Sequence, residues 1–225
     1  RTLLGQGVVA KFDPATYSDA IAFARIGEGS LGGKARGLAF MNSMLVKYCQ
    51  YAKYENVRVT IPRTVVVATD YFDAFIRNNG LEYVLTTEMT DEEILSEFVS
   101  STLPYKLREA LKAYVRTVSG PLAVRSSSKL EDSHYQPFAG IYSTYMIPYT
   151  EGNEDRQLRL LQKAIKSVYA STYFAASKAY VQSSQNLIAE EKMAVVIQEV
   201  CGTEQDGLFF PTLSGVARSI NYYPI

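Results

Sequence analysis

Hydrophobic and polar positions along this chain change period several times, and each change marks a predicted element. Residues 38–48 (LAFMNSMLVKY) put Leu38, Met41, Leu45 and Tyr48 three to four positions apart, the spacing of one helix face. The preceding GEGSLGGKARG (27–37) carries glycines at 27, 29, 32, 33 and 37, which predicts a glycine-rich loop opening that helix. Residues 61–68 (IPRTVVVA) form a β-branched run of strand type. Thr69 is placed to cap a helix over 71–78 that Gly80 ends, and Thr90-Asp91-Glu92-Glu93 reads as a capping box for a helix over 94–99. Pro104 opens a further helix running to about Val118. Strands are predicted at 121–125, 141–147, 194–200 and 215–222, and the longest helical pattern at 154–183, with Leu158, Leu161, Ile165, Val168 and Tyr169 on one face. Pro14 and the spacing after it predict a short helix over 14–24. Helices and strands intermix without strict βαβ alternation, so the expected class is α+β with a mixed or antiparallel sheet.

Composition narrows the function classes. The 225 residues suffice for a real core, and 47% hydrophobic against 20% charged residues is a globular balance. With 23 basic and 23 acidic side chains the formal net charge is zero, which excludes a generally basic nucleic-acid binder but allows a local basic pocket. No apolar run approaches the roughly 18 residues of a membrane span, and no signal-peptide pattern is visible. Cys49 and Cys201 form no CxxC or Cys/His pattern, so neither a zinc site nor a disulfide framework is expected, and a reducing cytoplasm is the expected location. Residue 1 is Arg, and the reading is an excised piece of a longer protein.

Four features are candidates for chemistry. In the glycine-rich stretch, backbone N–H groups and Lys34 at a helix N-terminus suit a phosphate, although the spacing is neither a Walker A loop nor a dinucleotide fingerprint; a plain turn is the alternative. In AVRSSSKLED (123–132) a strand ends in Arg125 followed by three serines, a guanidinium suited to phosphate oxygens, against the alternative of a surface ion pair with Glu131 or Asp132. VIQEV (196–200) is either an edge that reads a nucleotide base or a core strand with two polar residues. His134, the single histidine, sits in a polar loop-like setting (DSHYQP), where packing or surface roles compete with acid–base work.

Taken in order, GGKARGL (32–38), IPRTVVVATDYFDAF (61–75), AVRSSSKLEDSHYQPFAGIYSTY (123–145), AIKSVYASTYFAASKAY (164–180), VVIQEV (195–200) and SGVARSINYYP (214–224) resemble the N-terminal ATP-binding domain of the phosphoenolpyruvate synthase and pyruvate phosphate dikinase family. The RSS…ED…FAG block is the specific part. The resemblance implies an ATP-grasp-like fold over 27–225, incomplete at its C-terminus, with 1–26 as a lead-in. It implies ATP and magnesium as cofactors, with Lys34 and Arg125 on the phosphates, Gly140 and Thr144 along the phosphate side, and Gln198, Glu199 and Val200 as the adenine edge, read by the backbone of the last two. It further implies a histidine on a separate swivelling domain as phosphoryl acceptor and a third domain serving pyruvate, a glucan or an antibiotic. Metal ligands are expected beyond Ile225, so the chain alone is expected to be inactive. The departures are GGKA for GGKG, Ser128-Lys129 after RSS, Tyr135-Gln136-Pro137 before FAG and Ile141 for Gln after it. They keep open a catalytically silent nucleotide-sensing module of the same fold.

Overall fold

A computed structural model describes residues 9–18, 21–48, 56–57, 59–128, 142–183 and 192–217. Its centre is a six-stranded sheet in the order β1-β2-β3-β6-β4-β5. Strands β1 (Ala10–Lys11), β2 (Phe23–Ile26) and β3 (Thr64–Val67) run parallel. Strands β4 (Leu122–Ser127), β5 (Thr144–Ile147) and β6 (Ala194–Glu199) join antiparallel, with β6 inserted between β3 and β4. The sheet is therefore mixed, as the intermixed pattern predicts.

Helix α1 (Gly32–Tyr48) crosses from β2 to β3 and covers one face, where Phe23, Ala35, Ile61, Val66, Ala194 and Val196 form a small core. The opposite face carries the larger core beneath α2 (Thr69–Asn79), α3 (Asp91–Ser100), α4 (Tyr105–Val115) and α5 (Glu154–Ser171). Because both faces are covered, the central strands read as continuous apolar runs: all four residues of β3 are buried, and five of six in β6.

Several predicted ends are realised by the expected chemistry. Thr90 Oγ1 accepts the Glu93 N–H at 3.2 Å while the Glu93 carboxylate accepts the Thr90 N–H at 2.8 Å, a complete capping box. Gly80 ends α2 with φ of 62°, the left-handed cap that glycine adopts without strain.

Elsewhere the structure corrects the sequence reading. Among the described residues of 14–24 there is no helix. Asp13 nucleates a turn, its carboxylate accepting the Ala15 N–H at 3.0 Å, and Phe23–Ile26 is drawn into a strand by pairing with β3. The described part of the 1–26 lead-in thus supplies two strands of the sheet. Helix α1 begins at Gly32, so three of the five glycines belong to the helix and not to the loop. Thr69 is the first residue of α2 and makes no side-chain cap there; Ala68 holds the cap position.

The helix expected over 154–183 divides into α5 and α6 (Ala175–Ser183). At the break, the Thr172 and Tyr173 N–H groups donate three residues back, Ser177 Oγ donates to the Ser171 carbonyl at 2.7 Å, and Asp91 accepts the Ala175 N–H at 2.8 Å. A small hairpin, β7 (Thr203–Gln205) and β8 (Leu208–Phe210), follows β6 through a turn with positive φ at Asp206 and Gly207. No strand is assigned over 211–217, and the rest of the strand predicted at 215–222 lies outside the described residues.

Candidate functional site

On the α1 face of the sheet, directly paired residues form a row across three strands: Val196 on β6, Arg125 on β4 and Thr144 on β5. Residues 122 and 124 point into the large core, so alternation turns Arg125 the other way, toward α1. Lys34 lies in the first turn of α1, its Nζ donating to Ser126 Oγ at 3.2 Å. Lys34, Arg125, Gly37, Leu38, Met41 and Val196 line one cleft of about 210 Å³. The structure thus brings together the two predicted cations, 91 positions apart in sequence, over an apolar floor and with no carboxylate among the described residues of the lining. Such a cleft favours an anion with several oxygens, since a guanidinium donates in a fork and an ammonium supplies a compact charge.

The three serines after Arg125 do different work from a polar rim. Ser126, Ser127 and Ser128 are buried. Ser127 Oγ donates to the Leu31 carbonyl at 2.8 Å and accepts the Ala35 N–H at 3.1 Å, while the Ser128 carbonyl accepts the Gly33 N–H at 3.0 Å. They weld the start of α1 to the end of β4, which is what sets Lys34 beside Arg125. Gly32 stands at the closest approach: its φ is +71° and a Cβ there would meet the Ser127 carbonyl oxygen at 1.9 Å.

The glycine-rich loop is likewise committed internally. The Asp70 carboxylate accepts the N–H groups of Glu28 at 3.1 Å and Gly29 at 3.0 Å, and Thr69 Oγ1 accepts that of Ser30 at 3.0 Å. Consecutive N–H groups around one carboxylate make an anion nest, and its occupant is a side chain of the same protein. Three of the loop N–H groups that the sequence reading offers to a phosphate, those of Glu28, Gly29 and Ser30, are therefore engaged within the protein.

Gln198, Glu199 and Val200 stand at the opposite end of β6. Gln198 is buried, with Nε2 donating to Thr64 Oγ1 at 3.3 Å. The Glu199 N–H donates to the Arg63 carbonyl at 3.0 Å and the Val200 N–H to the Pro121 carbonyl at 2.9 Å. Both N–H groups are engaged within the protein, so the backbone atoms of this edge with capacity for a ligand are carbonyls. Val200 borders a pocket of about 480 Å³ whose walls include Met146, Pro121, Leu208 and Phe209. Met146 shares the α1 face with Arg125, two residues along from Thr144, and is 61% exposed. From Val196, beside Arg125, to Val200 is four residues of strand, about 13 Å.

Gly140 and His134 lie outside the described residues. Cys201 is exposed and free. Among the described residues no group of three or more His, Cys, Asp or Glu side chains is placed to hold a metal ion, and no helix is long and apolar enough to cross a membrane. Sequence reasoning passed over Arg63, Asp70 and Met146. The one local signal was an Arg wedged between Pro62 and the apolar run of β3, a costly place for a charge without a partner.

Comparison with known proteins places residues 28–224 in a match to the family model of the pyruvate phosphate dikinase AMP/ATP-binding domain. The chain is 31% identical over 157 residues to the "Uncharacterized phosphotransferase YvkC" of Bacillus subtilis (strain 168), covering 67% of this chain and 17% of that protein. It is 29% identical over 202 residues to the phosphoenolpyruvate synthase of Aeropyrum pernix, covering 80% of this chain and 22% of that protein. The chain thus spans under a quarter of the length of these curated relatives.

Proposed function

Because the chain belongs to the pyruvate phosphate dikinase AMP/ATP-binding domain family, we propose that it binds ATP along the α1 face of its sheet in an ATP-grasp-like manner. Lys34 and Arg125 hold the phosphates, with Gly140 and Thr144 along the same side. The base enters the pocket beside Val200, and the exposed Met146 supplies an apolar surface between the two ends. In the edge formed by Gln198, Glu199 and Val200, carbonyl oxygens accept the exocyclic amino group of adenine, while the Glu199 carboxylate is held away from the base. The observation that carries the reading is Lys34 and Arg125 on one cleft. The pocket beside Val200 includes Met146, which shares a face with Arg125, and lies about 13 Å along the sheet from Val196.

In the longer protein, residues 27–225 act as the main nucleotide-binding unit of a phosphoenolpyruvate synthase-like phosphotransferase. The phosphoryl group passes to a histidine on a separate domain and then to pyruvate or a related acceptor. Magnesium, when bound, neutralises charge developing on the phosphates; among the described residues no group of three or more His, Cys, Asp or Glu side chains is placed to hold it.

Titration calorimetry with ATP, ADP and AMP tests the reading. Affinity should rise with phosphate number, and Lys34→Ala and Arg125→Ala should each weaken ATP more than AMP. Failure of the wild-type chain to bind any of the three nucleotides overturns it. Nucleotide binding combined with no phosphorylation of a histidine domain in the full-length protein selects the silent, sensing module instead. The Asp70-filled nest favours that second reading, because it withdraws backbone donors that phosphoryl transfer could use.

A further inference from the structure

Arg63 opens β3's approach and is 10% exposed at its side chain. A guanidinium so nearly buried is costly unless every side of it is used. Its Nε donates to Glu199 Oε1 at 2.7 Å, Nη2 pairs with the same oxygen, and Nη2 also donates to the Thr117 carbonyl at 2.6 Å. The guanidinium carbon lies 5.7 Å from the centre of the Tyr17 ring, and the Arg63 carbonyl accepts the Glu199 N–H. One residue therefore grips Glu199 by backbone and by side chain, and ties in the turn that follows α4.

That turn leads through Ser119 and Gly120 to Pro121, whose carbonyl takes the Val200 N–H. Ser119, Gly120, Pro121 and Val200 are walls of the pocket of about 480 Å³, and Arg63 is not among them. Arg63 thus fixes two walls of the pocket from behind without touching its contents.

We infer that Arg63 is a positioning residue for the base-binding end of the site, acting through Glu199 and the turn over 117–121. The inference rests on the nucleotide reading above and adds to it a residue remote from the ligand. Because the walls it braces through Glu199 and Thr117 border the base and not the phosphates, its removal weakens every adenine nucleotide by the same factor. That pattern is opposite to the one expected for Lys34 and Arg125.

The test measures ATP and AMP affinity of the 225-residue chain for Arg63→Met, Arg63→Lys, Glu199→Gln and the Arg63→Met/Glu199→Gln double variant, at a temperature where each is folded. Arg63→Met should lower both affinities about ten-fold, the effect of losing one hydrogen bond to a charged group. Glu199→Gln should do the same, the double variant should lose no more than either single one, and Arg63→Lys should recover part of the loss. Amide hydrogen exchange at Glu199 and Val200 should quicken in Arg63→Met before any ligand is added. Where Arg63→Met does not fold, Glu199→Gln and Arg63→Lys carry the comparison. Unchanged affinities in the folded variants, or a loss that grows with phosphate number, overturn the inference while the nucleotide reading stands. A wild-type chain that binds neither nucleotide overturns both.

Discussion

The Asp70 carboxylate accepts the Gly29 N–H at 3.0 Å, across a sequence separation of 41 residues. With the neighbouring Glu28 N–H on its other oxygen, Asp70 staples the glycine-rich loop to the first turn of α2, where the helix dipole also favours a negative charge. Asp70→Ala should cost about 1–2 kcal/mol, because a part-buried N–H loses its acceptor. Asp70→Asn, which keeps one acceptor oxygen, should cost less. Urea unfolding measures both, and an Asp70→Ala midpoint equal to wild type would contradict the staple.

The glycines predict opposite outcomes for one substitution. Gly32→Ala forces a Cβ into the Ser127 carbonyl at a φ of +71°, and should destabilise by about 2–5 kcal/mol through left-handed strain and overpacking together. At Gly37, in the interior of α1, no atom of the described residues lies within 4 Å of where a Cβ would sit. Gly37→Ala should therefore stabilise by about 0.5–1 kcal/mol through helix propensity. Thermal unfolding of the pair decides it: a Gly32→Ala midpoint at or above wild type would contradict the tight approach at Gly32, and a lowered Gly37→Ala midpoint would contradict the open space at Gly37.

Buried phenols set the alkaline limit. Burial pushes the hydroxyls of Tyr114, Tyr169 and Tyr173 up from their ordinary range. They stay neutral when folded and ionise near pH 10 when unfolded. Their contribution is fully present below that pH and falls as pH rises further, by about 1.4 kcal/mol per pH unit for each phenol. Lys166, whose ammonium is pulled down by desolvation, acts in the opposite sense just below its ordinary value. The Tyr169 hydroxyl is buried without a hydrogen-bond partner among the described residues, so Tyr169→Phe should change neutral-pH stability little. It should also make the alkaline fall shallower by the share of one phenol. An unaltered slope would show that Tyr169 ionises without unfolding.

Thr90→Ala removes the acceptor of the capping box and should cost about 1 kcal/mol, with Thr90→Ser nearly neutral. Chemical denaturation compares the two. Equal loss in both variants would mean that the Thr90 methyl, and not its hydroxyl, supplies the stabilisation.

What was legible in the sequence was what neighbours in the chain decide for one another. The Thr90 box, the Gly80 cap and the all-apolar β3 and β6 each follow from a few consecutive residues. The strand at 23–26 was not, because its spacing suits a helix and only the presence of β3 makes it a strand. The split between α5 and α6 depends on Asp91, which reaches Ala175 from another helix. In the site, Lys34, Arg125 and the 198–200 edge came from motifs. The burial of Ser126–Ser128 and the filling of the glycine nest by Asp70 came from contacts about 40 and 90 residues apart, which no local pattern encodes.

The insertion of β6 between β3 and β4 has a consequence for synthesis. Thr64 and Gln198, paired across that junction, are 134 residues apart in the chain. At about 5–20 residues per second, a ribosome finishes β3 on the order of ten seconds before its partner exists. For that interval a run of three valines presents an open, sticky edge, the hazard that chaperones cover on nascent chains. The order of the strands thus makes this protein's most exposed moment one that the finished fold conceals.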